Sequence, residues 1–454
     1  MKFSKPLAII VTTLITKPRI VQSLDVDLNS HDSIKSAAST IAYDMMLYYN
    51  GNQTGQIPGN LPPPYYWWEA GAMFGALVDY WYYTGDPTYN MVTTQALLFQ
   101  VGPSESYMPP NQTKTEGNDD QAFWGIAAMS AAELNFPNPP ANQPQWLALA
   151  QAVFNTQAAR WDTSSCGGGL RWQIYPFNNG YNYKNSISNG CFFNLGARLA
   201  KYTGNDTYAH WADQTWDWMA STKLIDTNYY IYDGSDSNIN CSNINHLQWT
   251  YNAGAMLLGA ATMYNYTNGS TVWGQRVESL LNATAIFFTP EDIMVEVACE
   301  NNGKCNTDQK SFKAYLSRWM AATTKMAPFT YDAVMARLRP SAQAAAEQCC
   351  GGDNGRTCGM RWTMNTTWDG SYGVGQEMAA LEVIQSNLIA QVRGPVTNST
   401  GGTSQGNSAA GSGPNDRAQD KIEPPTHGDK VGAGVLTAVV LLWLIGTLSW
   451  MIVD

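Results

Sequence analysis

The chain has 454 residues, a net charge of −10 and only 14% charged residues, where about a quarter is usual. That balance argues against nucleic acid or an anionic membrane surface as the main partner, and the length allows one large domain or two ordinary ones. Asn, Gln, Ser, Thr, 24 Tyr and 17 Trp supply the polar surface instead, a mixture that suits a secreted protein handling neutral ligands such as sugars.

Residues 1–23 read as a signal peptide: Lys2 and Lys5, an apolar "LAIIVTTLI", then Val21-Gln22-Ser23 as a small-residue cleavage pattern, with Lys17 and Arg19 atypical. Six segments then share one character, aromatic or polar at the start and Gly or Ala at helical spacing after it. They are "WWEAGAMFGALVDYWYYTGD" from Trp67, "DDQAFWGIAAMSAAELNF" from Asp119 and "SISNGCFFNLGARLAKYTGN" from Ser186, then "TYNAGAMLLGAATMYNYTN" from Thr250, "DQKSFKAYLSRWMAATTKM" from Asp308 and "SYGVGQEMAALEVIQSNL" from Ser371. Their starts recur at roughly 50–70 residues, the length of stacked supersecondary units. Amphipathic helices are expected between them at 33–49, 87–101, 144–160, 206–222, 271–287 and 329–348. The last should break or kink at Arg339-Pro340. Six inner and six outer helices in alternation predict an all-α, (α/α)6 toroid over 24–395, with "GGGLRWQIYPF" at 167–177 as the best β-like loop or hairpin.

Beyond this domain, 396–430 reads as a linker and spacer containing a Gly/Ser/Asn/Thr tract, and 431–454 as an apolar tail. Small residues, spacer and terminal apolar tail form the pattern of a GPI attachment signal. The alternative is a single transmembrane anchor, disfavoured because no basic stop follows the tail.

Eight cysteines fit an oxidising route. Cys299 and Cys305 are placed to close a local loop, and either Cys349 or Cys350 to reach Cys358. Glycosylation sequons stand at Asn52, Asn111, Asn205, Asn240, Asn265, Asn268, Asn282, Asn365 and Asn398.

Asp119 and Asp120 carry the chemistry. After a Gly117-Asn118 turn they fall in the first turn of a helix, where the dipole favours any carboxylate by typically 0.3–1 kcal/mol. A lone Asp there would need no further reason. Two adjacent ones over the mouth of a toroid can hold their carboxyls about 5 Å apart, the spacing of a retaining glycosidase. Repulsion then keeps one ionised as nucleophile while the other holds a proton as general acid and later base. Trp67, Trp68, Trp124, Trp172, Trp249 and Tyr251 can offer apolar faces to sugar rings, with His246 and Asn252 as further candidate substrate contacts.

The stretches "GNDDQAFWG", "GGGLRWQI", "KNSISNGCFFNLGARL" and "QWTYNAGAMLLGA", in this order, resemble the fungal members of glycoside hydrolase family 76, the mannan endo-1,6-α-mannosidase-like wall proteins. The resemblance spans roughly residues 25–395. It implies an (α/α)6 barrel, Asp119 as nucleophile and Asp120 as acid/base. It also implies a cell-surface enzyme acting on α-1,6-linked mannose, and on GPI-protein glycans that it transfers to wall β-glucan.

Other motifs carry less. "GTSQG" at 402–406 matches a nucleophile elbow but lies in low-complexity sequence. The four His (31, 210, 246, 427) lack paired ligand spacing, so neither a metal nor a cofactor is expected. "DGSDSN" at 233–238 reads as a polar loop rather than a Ca²⁺ site. A non-catalytic mannan-binding lectin or scaffold is the competing reading, but a lectin has no need of two adjacent carboxylates. The expected partners are mannose-containing glycans, the GPI glycan and a β-glucan acceptor, handled by a monomer held to the membrane through its lipid.

Overall fold

The computed structural model describes residues 23–112, 115–413 and 427–453. The expected signal peptide, apart from Ser23, and the spacer from 414 to 426 lie outside the described residues. In chain order the body comprises α1 (His31–Met46), α2 (Trp67–Thr84), α3 (Asn90–Phe99), α4 (Asn118–Glu133), α5 (Trp146–Ala159), α6 (Ser186–Thr203) and α7 (Asp206–Ser221). It continues with α8 (Thr250–Tyr266), α9 (Thr271–Ala283), α10 (Phe312–Met326), α11 (Tyr331–Gln348) and α12 (Val374–Gln385).

The even-numbered helices form the inner ring. Each packs on the next, and α12 packs back on α2, so the toroid closes; the odd-numbered helices lie outside. The two kinds differ as their neighbours require. Inner α4 is buried from Asn118 to Ala132 except at Asp120, because it meets ring partners on both sides and α5 behind. Outer α7 buries one stripe, Tyr208, Ala212, Thr215 and Trp216 among it, the pattern of a helix with one face in water. The expected inner and outer segments coincide with these helices to within a few residues.

One local expectation fails and a second holds only in its looser form. α11 runs unbroken through Pro340; packing on α10 and α12 and a clasp at the next residue, where Ser341 Oγ accepts from Met294 N and donates to the Asp292 carbonyl, keep the helix whole. Residues 167–177 form the loop rather than the hairpin, with an isolated antiparallel bridge from Gln173 to Gly117. Gly167, Gly168 and Gly169 all have positive φ (68°, 151° and 92°), which no ladder sustains. The sheet is built instead from β1 (Tyr183–Asn185), β2 (Gly234–Asp236) and β3 (Ile244–Asn245), antiparallel in that order. "DGSDSN" thus supplies a strand rather than only a loop. A second pair joins β4 (Cys349–Gly351) to β5 (Thr357–Cys358).

Disulfides link Cys166–Cys241, Cys299–Cys305 and Cys349–Cys358, while Cys191 and Cys350 are buried thiols. Residues 396–410 differ from a free stalk. They follow the body, with Asn398 N bonded to Tyr202 O at 2.9 Å, Ser404 Oγ accepting from Leu147 N at 2.9 Å, and Asn155 Nδ2 donating to Ala410 O at 2.8 Å. Ser404 of "GTSQG" is therefore a buried clasp on the start of α5. Helix α13 (His427–Val453) follows; its Lys430–Thr447 stretch has mean hydropathy 1.8 and no buried share, long and apolar enough to cross a membrane.

Candidate active site

The start of α4 is held on three sides. Its N-cap is Gly117, in extended conformation; Asp120 Oδ2 reaches back to accept from Gly117 N at 2.8 Å, the reciprocal half of a capping box. Asn118 N and Nδ2 donate to the Trp172 and Arg171 carbonyls, both at 2.8 Å. The loop they grip is tied in turn to β1 by Trp172 N to Tyr183 O at 2.6 Å. Asp119 Oδ1 accepts from Asp120 N at 3.0 Å, and its Oδ2 from Asn185 Nδ2 at 3.1 Å. Asn185 is itself the N-cap of α6, accepting from Ser188 N, so one side chain starts a helix and orients a carboxylate.

Gly117 also measures how close the carboxylates come. A Cβ there would lie 2.4 Å from Asp119 Oδ1 and 3.2 Å from Asp120 Oδ2. These two oxygens, one from each aspartate, are therefore separated by no more than those distances together.

Both aspartates line a cavity of about 220 Å³ at the N-terminal ends of the inner helices. Trp68, Phe123, Trp172, Trp249, Tyr251 and Phe312 give it aromatic walls; Tyr183, Asn185, Asp233, Asn306, Asp308 and Gln309 add polar atoms. A second compartment of about 370 Å³ adjoins it and shares Trp68, Asp120, Trp172 and Asp308, but not Asp119.

Four expected contacts, Trp68, Trp172, Trp249 and Tyr251, line the first compartment, and Trp67 lines the second. Three do not line either. Trp124 is fully buried behind them, stacked on Trp67 at 5.1 Å and Tyr107 at 5.5 Å. His246 sits exposed on the loop after β3, edge-on to Tyr232. Asn252, one helical step of about 100° past Tyr251, turns into the core and is buried there. Of the sequon asparagines, all are exposed except Asn265, half-buried with Nδ2 donating to the Met326 carbonyl.

Two further carboxyls went unread in the sequence. Asp233 accepts from Trp249 Nε1 at 2.9 Å, Tyr183 OH at 2.6 Å and Asn245 Nδ2 at 3.1 Å, and Asp308 from Trp68 Nε1 at 3.0 Å. Each fixes a wall tryptophan. Burial raises the affinity of all four carboxyls for protons. It acts most on Asp119, helped by the Asp120 charge and opposed by the Asn185 and backbone donors. Asp120 is pushed up to about 7 by burial, with the Gly117 N–H opposing and Asp308 adding. The environment thus favours a pair that holds a proton at neutral pH.

The family model of glycosyl hydrolase family 76 matches residues 33–399. The chain belongs to that family. This family 76 chain is a glycosidase, and its toroid is the (α/α)6 fold of its structural neighbours. It is 48% identical to mannan endo-1,6-α-mannosidase DCW1 of Saccharomyces cerevisiae over 96% of each protein. It is 43% identical to mannan endo-1,6-α-mannosidase DFG5 of the same yeast over 99% of this chain and 98% of that one. The crystal structure of Dfg5 from Chaetomium thermophilum in complex with glucosamine matches with a TM-score of 0.85 at 48% identity, covering 88% of this chain and 100% of that one. An inactive variant of a Salegentibacter α-1,6-mannanase, with two consecutive aspartates replaced and α-1,6-mannotetrose bound, shares the fold at TM-score 0.61 and 16% identity, over 78% of this chain and 99% of that one.

Proposed function

We propose that the family 76 chain is a retaining α-1,6-mannosidase in which Asp119 is the nucleophile and Asp120 the acid/base. The observation that carries this reading is the unequal sharing of the pair: Asp119 lines only the first compartment, whereas Asp120 lines both. A mannose in the first compartment presents its anomeric carbon to Asp119, and the glycosidic oxygen then lies at the junction beside Asp120. With Oδ2 occupied by Gly117 N–H, Asp120 has Oδ1 to carry the proton. Asp119 attacks and the C–O bond breaks. Asp120's proton goes to the departing oxygen. Positive charge developing on the ring favours an ionised Asp119 at that moment, against its burial. The names of the yeast relatives support the linkage. Proton NMR of the first product from an α-1,6-mannan oligosaccharide is expected to show the α-anomer; a β-anomer would sink the reading.

In the second step a water or a sugar hydroxyl replaces the leaving group, giving its proton to Asp120 as it bonds to the anomeric carbon and releases Asp119. We infer that the sugar hydroxyl is the natural choice, with GPI-protein glycans as donors and wall β-glucan as acceptor at the cell surface. The apolar α13 behind a polar segment supports a GPI signal. Mature surface protein should then yield no peptides from Val431 onward by mass spectrometry.

Acid catalysis by Asp120 sets a pH dependence. The active form keeps one proton on the Asp119–Asp120 pair, so kcat/KM should fall on the alkaline side as the pair gives up that proton. Asp308 raises Asp120 by like charge. Asp308→Asn should therefore move the alkaline limb to lower pH, and a shift in the opposite direction in pH–rate profiles would refute the assignment.

A further inference from the structure

The second compartment contains a group that the mechanism above does not use. Glu116 lines it and is only 1% exposed. Neither carboxyl oxygen has a hydrogen-bond partner among the described residues; only its main-chain carbonyl is engaged, by Ile174 N at 3.4 Å. A buried polar group left unsatisfied is costly in a folded chain, so a partner from outside is indicated. The wall around it combines the rings of Tyr66 and Trp67 with the amides of Gln112 and Gln173, apolar faces and polar edges of the kind a pyranose needs.

We propose that this compartment receives the saccharide on the far side of the scissile bond, and that Glu116 is its specificity-determining contact, hydrogen-bonded to a hydroxyl of a neutral hexose. The inference rests on the roles given above to Asp119 and Asp120. The same compartment must serve both steps, because an attacking hydroxyl has to arrive where the departing oxygen left and hand its proton to the same Asp120. Burial, reinforced by the Asp120 charge and only partly offset by Arg160, raises the Glu116 carboxyl well above its ordinary range. A group so raised favours its protonated form, which offers one donor and one acceptor. That complements a hydroxyl, which also gives and accepts, better than an ammonium group.

The test compares kcat/KM on α-1,6-mannotetraose and on dinitrophenyl α-mannoside for wild type, Glu116→Ala and Glu116→Gln. The aryl group needs no hydroxyl contact. Glu116→Ala should lose about 10- to 100-fold more on the tetrasaccharide than on the aryl mannoside, the scale of one hydrogen-bonding partner left unsatisfied. Glu116→Gln, which keeps a donor and an acceptor, should recover most of that loss. With mannobiose added as acceptor, the ratio of transfer to hydrolysis should fall in Glu116→Ala. Equal losses on both substrates would overturn the proposal and assign Glu116 to the fold. A Gln variant as impaired as the Ala variant would overturn it in favour of a charged contact to an amino sugar. Should wild type cleave neither substrate, the mannosidase reading fails and takes this inference with it; should wild type cleave both while Glu116→Ala shows no difference between them, only the inference fails.

Discussion

Asparagine in place of Asp119 is expected to abolish the glycosyl-enzyme and to reduce kcat/KM by at least the 10²–10⁴-fold that a positioned acid or base contributes. The variant keeps the size of the side chain and the bond from Asp120 N to its amide oxygen, while its Nδ2 takes the place of the oxygen that accepts from Asn185 Nδ2. Its stability should change little, because removal of a buried carboxyl whose charged form burial disfavours offsets the lost acceptor for Asn185 Nδ2. Asp120→Asn should behave differently. Loss of the acid slows departure of a sugar far more than of an activated aryl group, so the defect should shrink as the leaving group improves. The Asp119 variant has no such escape. Two measurements separate the roles: a leaving-group series for each variant, and peptide mapping after trapping with a fluorinated mannosyl donor. A label on Asp120 would reverse the assignment.

Adjacent carboxylates are legible in a charge-poor sequence because their spacing is local, and a helix start needs only the residues around it. The inner helices are legible for a similar reason: small residues recur where six helices must approach one axis. What sequence reasoning missed depends on distant pairings. Asp233 reaches the cavity because β2 registers Gly234 against Asn185, and nothing in "DGSDSN" states that register. Asp308 opens an inner segment in the sequence, but its role follows from Trp68 Nε1, 240 residues earlier in the chain. Trp124 misleads because a tryptophan beside the aspartate pair looks the same in sequence whether it faces sugar or braces Trp67. Asn252 shows the same limit at finer scale, since a single helical step separates the cavity from the core.

Removing the guanidinium of Arg318 is expected to destabilise the toroid by about 3–5 kcal/mol, the usual loss when one partner of a buried ion pair is taken away. Arg318 of α10 reaches between two other inner helices at the point where the ring closes. Its Nε lies 2.7 Å from Asp79 Oδ2 on α2, and its Nη2 lies 2.7 Å from Glu382 Oε1 on α12 and 3.3 Å from the Ala72 carbonyl. A Cβ on Gly75 would stand 3.2 Å from its Nη1, so the glycine leaves the room that the guanidinium occupies. Burial pushes Glu382 up to about 8 and raises Asp79 even with Arg318 present to oppose it. In Arg318→Met that opposition is gone, and both carboxyls must stay protonated or be buried with uncompensated charge. Groups whose folded-state pKa lies above the unfolded value stabilise at low pH and lose that contribution as pH rises through the folded pKa. The variant should therefore be closest to wild type in acid and fall furthest behind above neutrality. Urea denaturation from pH 5 to 8 checks both the size and the slope. A loss under about 1 kcal/mol, or one that shrinks as pH rises, would mean that the ring closes through apolar packing alone. Combining Arg318→Met with Asp79→Leu and Glu382→Leu should recover much of the loss, because a well-packed apolar trio replaces a buried charge network at little cost.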